Sequence, residues 1–132
     1  MNKIVNISEA ASIAIHTIAL IGKADTKLNA TQISEILHSN KNHLAKVIQR
    51  LAKAGYIVSQ RGPKGGFTLN RPKEEITLLQ IYETIDGQIE PNICCMQNGV
   101  CSFNQCVFNN LPEKLSDEFR LYLKNTTIAD IS

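Results

Sequence analysis

Apolar residues recur at helical spacing in five stretches of this 132-residue chain, with two short β-like runs in their midst. From Ser8 to Ile21 the positions Ala11, Ile15, Ile18 and Ala19 share one face, Ser8 is suited to cap the helix and Gly22 to end it. Asn29, followed three residues later by Gln32, has the form of a capping box. It opens a short helix through Leu37 that turns Ile33, Ile36 and Leu37 inward. After a break at Ser39-Asn40, a third helix is capped by Asn40, places Leu44, Val47, Ile48 and Leu51 at i, i+3, i+4 and i+7, and stops at Gly55. Its opposite face carries Lys41, Asn42, Lys46, Gln49, Arg50 and Lys53.

Tyr56-Ile57-Val58 and Phe67-Thr68-Leu69 read as strands, joined by Arg61-Gly62-Pro63-Lys64-Gly65-Gly66, a loop with hairpin chemistry. Two short helices across a tight polar turn, followed by a hairpin, make a winged helix-turn-helix. Thr77 and Gln80 repeat the capping box ahead of Leu78, Leu79, Ile81, Tyr82 and Ile85, and Gly87 ends that helix. Residues 88–105 show no regular period. A last helix, from roughly Cys106 to Lys124, lines up Phe108, Leu111, Leu115, Phe119 and Tyr122, with Pro112 tolerated in or near its first turn. Such a stripe exceeds what a winged helix needs, which points to a dimer interface; Thr127–Ile131 adds one more helical turn. The expected fold is mainly α with a small β-hairpin. A winged-helix domain covers residues 1–75, and a cysteine loop with a long C-terminal dimerisation helix covers 76–132, in one continuous compact unit.

At 43% hydrophobic content the chain has enough apolar mass for a single core. The net charge of +2 says little about partners, but its distribution says more. Between Ile36 and Lys73 stand eight Lys or Arg residues and no acid, whereas residues 74–132 hold nine of the twelve acids and three bases. An acid-free basic segment is the electrostatic footprint of a phosphate backbone, so double-stranded DNA is the expected partner. Asn40, Lys41, Asn42, His43 and Lys46 occupy the first turns of the third helix, where side chains reach base edges, and Arg50 adds charge farther along. Asn42 offers adenine a paired donor and acceptor, while His43 fits a packed or capping role equally well. On the hairpin, the glycines let the backbone approach DNA, and Arg61 and Lys64 supply charge to phosphate or the minor groove.

The N-terminal apolar run is interrupted by Glu9 and His16 and has no small-residue cleavage site, so it reads as a core helix of a cytoplasmic protein, not a signal peptide or membrane span. His16, His38 and His43 are scattered and no nucleophile–base motif accompanies them, which gives no case for an enzyme. All four cysteines fall between Cys94 and Cys106. Adjacent cysteines diverge, so the usable set is one of Cys94 or Cys95, then Cys101 and Cys106, with five (or six) and then four residues between them. Three thiolates at that spacing can wrap an iron–sulfur cluster, which tolerates one non-cysteine ligand. Zinc competes, although the paired Cys-x-x-Cys knuckles of structural zinc sites are absent; thiol switching or a disulfide is the metal-free reading.

The order of these elements, with NKNHLAKVIQRLAKAGYIVSQRGPKGGFTL at the centre and a cysteine loop ahead of a long terminal helix, resembles the Rrf2-type winged-helix transcription regulators over essentially the whole chain. The resemblance implies a homodimer, crossed through the terminal helices, that binds a partly palindromic operator as a repressor. It also implies an iron–sulfur cluster, two-iron or four-iron, held by Cys95 (or Cys94), Cys101 and Cys106. Nitric-oxide-sensitive members complete the shell with an acid near the start of the first helix of the other subunit, and Glu9 stands at that place, where the helix dipole alone would also favour an acid. Members with a histidine three residues after the last cysteine differ from this chain, which has Asn109 there. The signal implied is nitric oxide, redox or iron–sulfur status, and family members without a cluster provide the alternative of thiol oxidation or a small-molecule effector.

Overall fold

The computed structural model describes residues 5–89 and 101–132; Cys94 and Cys95 lie outside them. The described elements run α1 (Glu9–Lys23), α2 (Ala30–Leu37), α3 (Lys41–Lys53), β1 (Ile57–Gln60), β2 (Gly66–Leu69), α4 (Leu78–Asp86), α5 (Leu111–Asn125) and α6 (Ile128–Ile131), with a 3₁₀ turn at Lys73–Glu75. The chain is mainly helical with one antiparallel hairpin, in the register Ile57↔Leu69 to Gln60↔Gly66. Among the described residues no helix is long and apolar enough to cross a membrane.

Local chemistry starts most of these helices where the sequence reading places them. Ser8 Oγ accepts the Ala11 amide, and the Asn29–Gln32 and Thr77–Gln80 capping boxes both close in each direction. Asn40 Oδ1 accepts the amides of Asn42 and His43 at 2.9 and 3.1 Å. Each such cap satisfies donors that a helix start otherwise leaves bare, for about 1 kcal/mol. The core lies where α1, α3, α4, α6 and the hairpin meet, and Ile18, Leu44, Leu51, Ile57, Ile76, Ile81 and Ile128 are fully buried in it. Helix α6 returns the C-terminus to this core: Ile128 N–H donates to Ile76 O and Leu78 N–H to Thr126 O, at 2.8 and 3.0 Å.

Three expectations are corrected. Gly22 does not end α1, which continues to Lys23 and is capped by Ala24. A β-carbon at Gly22 would lie 3.2 Å from Ile128 and 3.3 Å from Leu69, so the residue is small in order that α1 can press against α6 and β2. Ile36, expected inward, is 50% exposed, and Ile33 alone of the α2 residues is buried. The last helix begins at Leu111, not Cys106, because Asn109 and Asn110 both adopt left-handed backbone (φ 54° and 58°), which an α-helix cannot contain.

Candidate nucleic-acid interface and cysteine segment

Helices α2 and α3 are joined by a turn in which His38 takes the left-handed conformation (φ 52°) and Ser39 N–H donates to Ser34 O at 3.1 Å. A histidine here does what glycine does at many helix ends, and for that reason the turn carries no glycine signal in the sequence. Helix α3 buries Leu44, Val47, Ile48 and Leu51, so its opposite side is held outward by the core. Lys41, Asn42, Lys46, Gln49 and Lys53 are exposed, and His43 is half-buried. At about 100° per residue, Asn42, Lys46, Gln49 and Lys53 fall within about 60° of one another, directly opposite the buried face. Gln49 and Lys53 thus share one exposed polar stripe with Asn42 and Lys46, a placement that needs only the helical period.

Two cations of the acid-free segment, both exposed, also donate to backbone carbonyls. Arg50 Nη2 donates to Thr84 O and Ile85 O at 3.1 and 2.9 Å. Arg71 Nη2 donates to Ala54 O at 3.0 Å, and its guanidinium stacks 4.6 Å from the centre of the Tyr56 ring. On the hairpin, Arg61, Gly62, Pro63 and Lys64 are all exposed at the tip. The glycines that follow serve the hairpin itself: a β-carbon on Gly66 would sit 2.7 Å from Leu28 O, which also accepts the Phe67 amide at 2.9 Å. Lys27 Nζ donates to Gln60 Oε1, pinning the tip end of β1 to the loop after α1.

The acidic half begins at α4. Tyr82 Oη donates to Asn6 O at 3.2 Å, and its ring meets Phe119 edge-on at 5.7 Å. Burial, and secondarily the Asp86 carboxylate, raise its phenol above the ordinary tyrosine range. Asn6, Tyr82 and Phe119 border a cavity of about 410 Å³ between α4, α5 and the residues ahead of α1, lined also by Ile89 and Leu115. Cys101 is an exposed free thiol and Cys106 a half-buried one, with Cys106 O accepting the Asn109 amide at 2.9 Å just ahead of α5. Glu9, the first residue of α1, is exposed. Among the described residues no three His, Cys, Asp or Glu side chains converge as a metal-holding group.

The sequence profile of the Rrf2 family, described as an iron-dependent transcriptional regulator, matches residues 7–132. The chain belongs to the Rrf2 family. An HTH-type transcriptional regulator of Aquifex aeolicus (strain VF5) is 31% identical over 122 residues, covering 86% of this chain and 85% of the relative. The HTH-type transcriptional regulator IscR of Yersinia pseudotuberculosis serotype O:1b (strain IP 31758) is 27% identical over 107 residues, 81% of this chain and 65% of IscR, so this chain matches slightly less than two thirds of that relative's length. In fold, the chain is similar to CymR, the global cysteine regulator of B. subtilis: TM-score 0.79, 21% identity, covering 96% of this chain and 95% of CymR.

The Rrf2 regulators bind DNA to control transcription and are not enzymes, which agrees with the winged helix and the absence of a catalytic motif in the sequence. In this Rrf2 chain the polar stripe of α3 and the hairpin tip are exposed parts of the acid-free segment, and the cysteine segment follows α4 in the chain.

Proposed function

We propose that this protein is a homodimeric repressor whose operator affinity is set by an iron–sulfur cluster reporting nitric oxide, redox or iron–sulfur status. Asn40, Lys41, Asn42, His43 and Lys46 read the major groove, and Arg61 and Lys64 clamp phosphate from the hairpin. The cluster reading is carried by the donor set: soft thiols, two of them free on the described segment between α4 and α5. Cys95 (or Cys94), Cys101 and Cys106 would hold the group, with Glu9 of the partner subunit as the fourth ligand; when bound, it supplies a centre that oxidation or nitrosylation alters. The dimer is supported by the apolar residues Leu111, Leu115, Leu121 and Tyr122 of α5, all of which are exposed. Two recognition helices in such a dimer would enter successive major grooves about 34 Å apart.

Anaerobic purification with a visible spectrum and an iron and sulfide count tests the cluster. A coloured wild type and a colourless Cys101→Ala with altered operator affinity are expected; colourless, iron-free protein in both, with equal affinity, would sink the cluster reading. Lys46→Glu should abolish operator binding whichever signal applies.

A second reading, direct thiol oxidation or a small-molecule effector without a cluster, is favoured by the exposure of Cys101 and by the cavity beside Tyr82 and Phe119. Thiol titration with and without oxidant on iron-free protein separates it from the first.

A further inference from the structure

Helix α4 ends at Asp86 and hands the chain, through Gly87, to the segment that carries the cysteines. Groups from three other elements fasten onto its last turn. Arg50 from α3 donates to Thr84 O and Ile85 O, carbonyls at the end of the helix where few intrahelical partners remain and where the dipole is negative. Thr84 Oγ1 donates its one proton to Gln80 O at 2.8 Å, so Tyr56, at the start of the hairpin, is the donor in the 3.1 Å bond between Tyr56 Oη and Thr84 Oγ1. Asp86 takes Ser8 Oγ at 2.6 Å, which holds the first turn of α1 and with it Glu9.

We propose that Arg50 is a positioning residue for DNA reading and not a DNA contact. It latches the recognition helix to the end of α4 and thereby relays the position of that turn to Asn42 and Lys46. Two observations agree. Although Arg50 is exposed, its Nη2 already donates to two carbonyls on a neighbouring helix, and at about 100° per residue Arg50 stands about 70° off the middle of the Asn42–Lys46–Gln49–Lys53 stripe, toward Val47. A hydrogen-bonded bridge between two packed helices is the kind of contiguous connection through which one site biases another. The relay from the cysteines rests on the proposed sensing role; the placement of Arg50 does not.

The test compares wild type, Arg50→Met and Lys64→Met by fluorescence anisotropy across a salt series. Two duplexes are used, one selected by the wild-type protein from a random-sequence pool and one of scrambled sequence. A latch predicts that Arg50→Met binds the selected duplex about tenfold more weakly, the scale of one lost base contact, and the scrambled duplex within about twofold of wild type. Its slope of log affinity against log salt stays unchanged, whereas Lys64→Met lowers that slope by about 0.9 for each copy bound. A slope lowered by the same amount in Arg50→Met on both duplexes, or behaviour identical to wild type, overturns the latch. Should circular dichroism show Arg50→Met unfolded, Arg50→Gln, neutral but still an amide donor, is read against the same criteria. Repeating the selected-duplex titration with reduced and oxidised protein adds the relay: oxidation should change wild-type affinity and leave Arg50→Met within about twofold. An affinity in wild type that ignores oxidation counts against the sensing role, and the salt slopes still decide Arg50.

Discussion

Helices α3 and α5 carry the same kind of amphipathic pattern and end in opposite situations. In α3 the apolar positions Leu44, Val47, Ile48 and Leu51 are all buried against the chain's own α1, α2 and hairpin, and the polar face is what remains for another molecule. In α5 only Leu123 is buried; Leu111 and Tyr122 are 53% and 60% exposed, and Phe119 is half-covered by Tyr82. One helix uses its apolar face to fix its polar face in space. The other uses a single buried leucine and one aromatic contact to hold an apolar face out in the solvent. Periodicity alone therefore names a face, and whether that face is core or interface depends on what the fold brings opposite it.

Breaking the buried face should cost most. Leu44→Ala removes a fully buried side chain and is expected to cost about 2–5 kcal/mol, read as a lower midpoint in urea unfolding; a midpoint near wild type would deny α3 its anchoring role. On α5, the pair Leu111→Glu and Tyr122→Glu should leave the helical circular dichroism intact while sedimentation moves from dimer to monomer. A dimer that survives both charges removes α5 from the proposed interface. Asn40→Ala deletes the acceptor for the Asn42 and His43 amides and should cost about 1 kcal/mol, with operator affinity falling because the first turn of the reading face frays. Ile36→Ala, at a position half in solvent, is expected to stay within about 0.5 kcal/mol of wild type. A loss as large as that at Leu44 would mean that α2 packs inward more than its exposure indicates.

Much of the fold was legible before any coordinates. The caps at Ser8, Asn29, Asn40 and Thr77 are local signals, set by side chains that reach amides two or three residues away, and all four stand. The stops at Gly55 and Gly87 were equally readable, and both take positive φ, at 88° and 86°. The start of α5 was misplaced because an apolar period continues through Phe108, while the left-handed pair Asn109-Asn110 that interrupts it obeys loop closure and not periodicity. Gly22 was misread for the opposite reason: glycine serves close approach as well as helix termination, and only the neighbours Ile128 and Leu69 tell which. Of the candidate site, the exposed polar positions of α3 follow from the same period that buries its core face. The bonds of Arg50 to α4 do not, since its acceptors lie 34 and 35 residues farther along.

The sequence by itself determined that the chain is a winged helix with a one-sided basic segment and a cluster of thiols ahead of a terminal amphipathic helix. Period, capping and charge segregation are properties of neighbouring residues and need no fold to be read. Only the tertiary structure decided which cations remain free for another molecule, which apolar face is left uncovered, and that the end of α4 gathers α1, α3 and the hairpin onto one turn. Those outcomes depend on how helices cross, and a guanidinium finds a carbonyl on another helix only after packing has brought the two within about 3 Å.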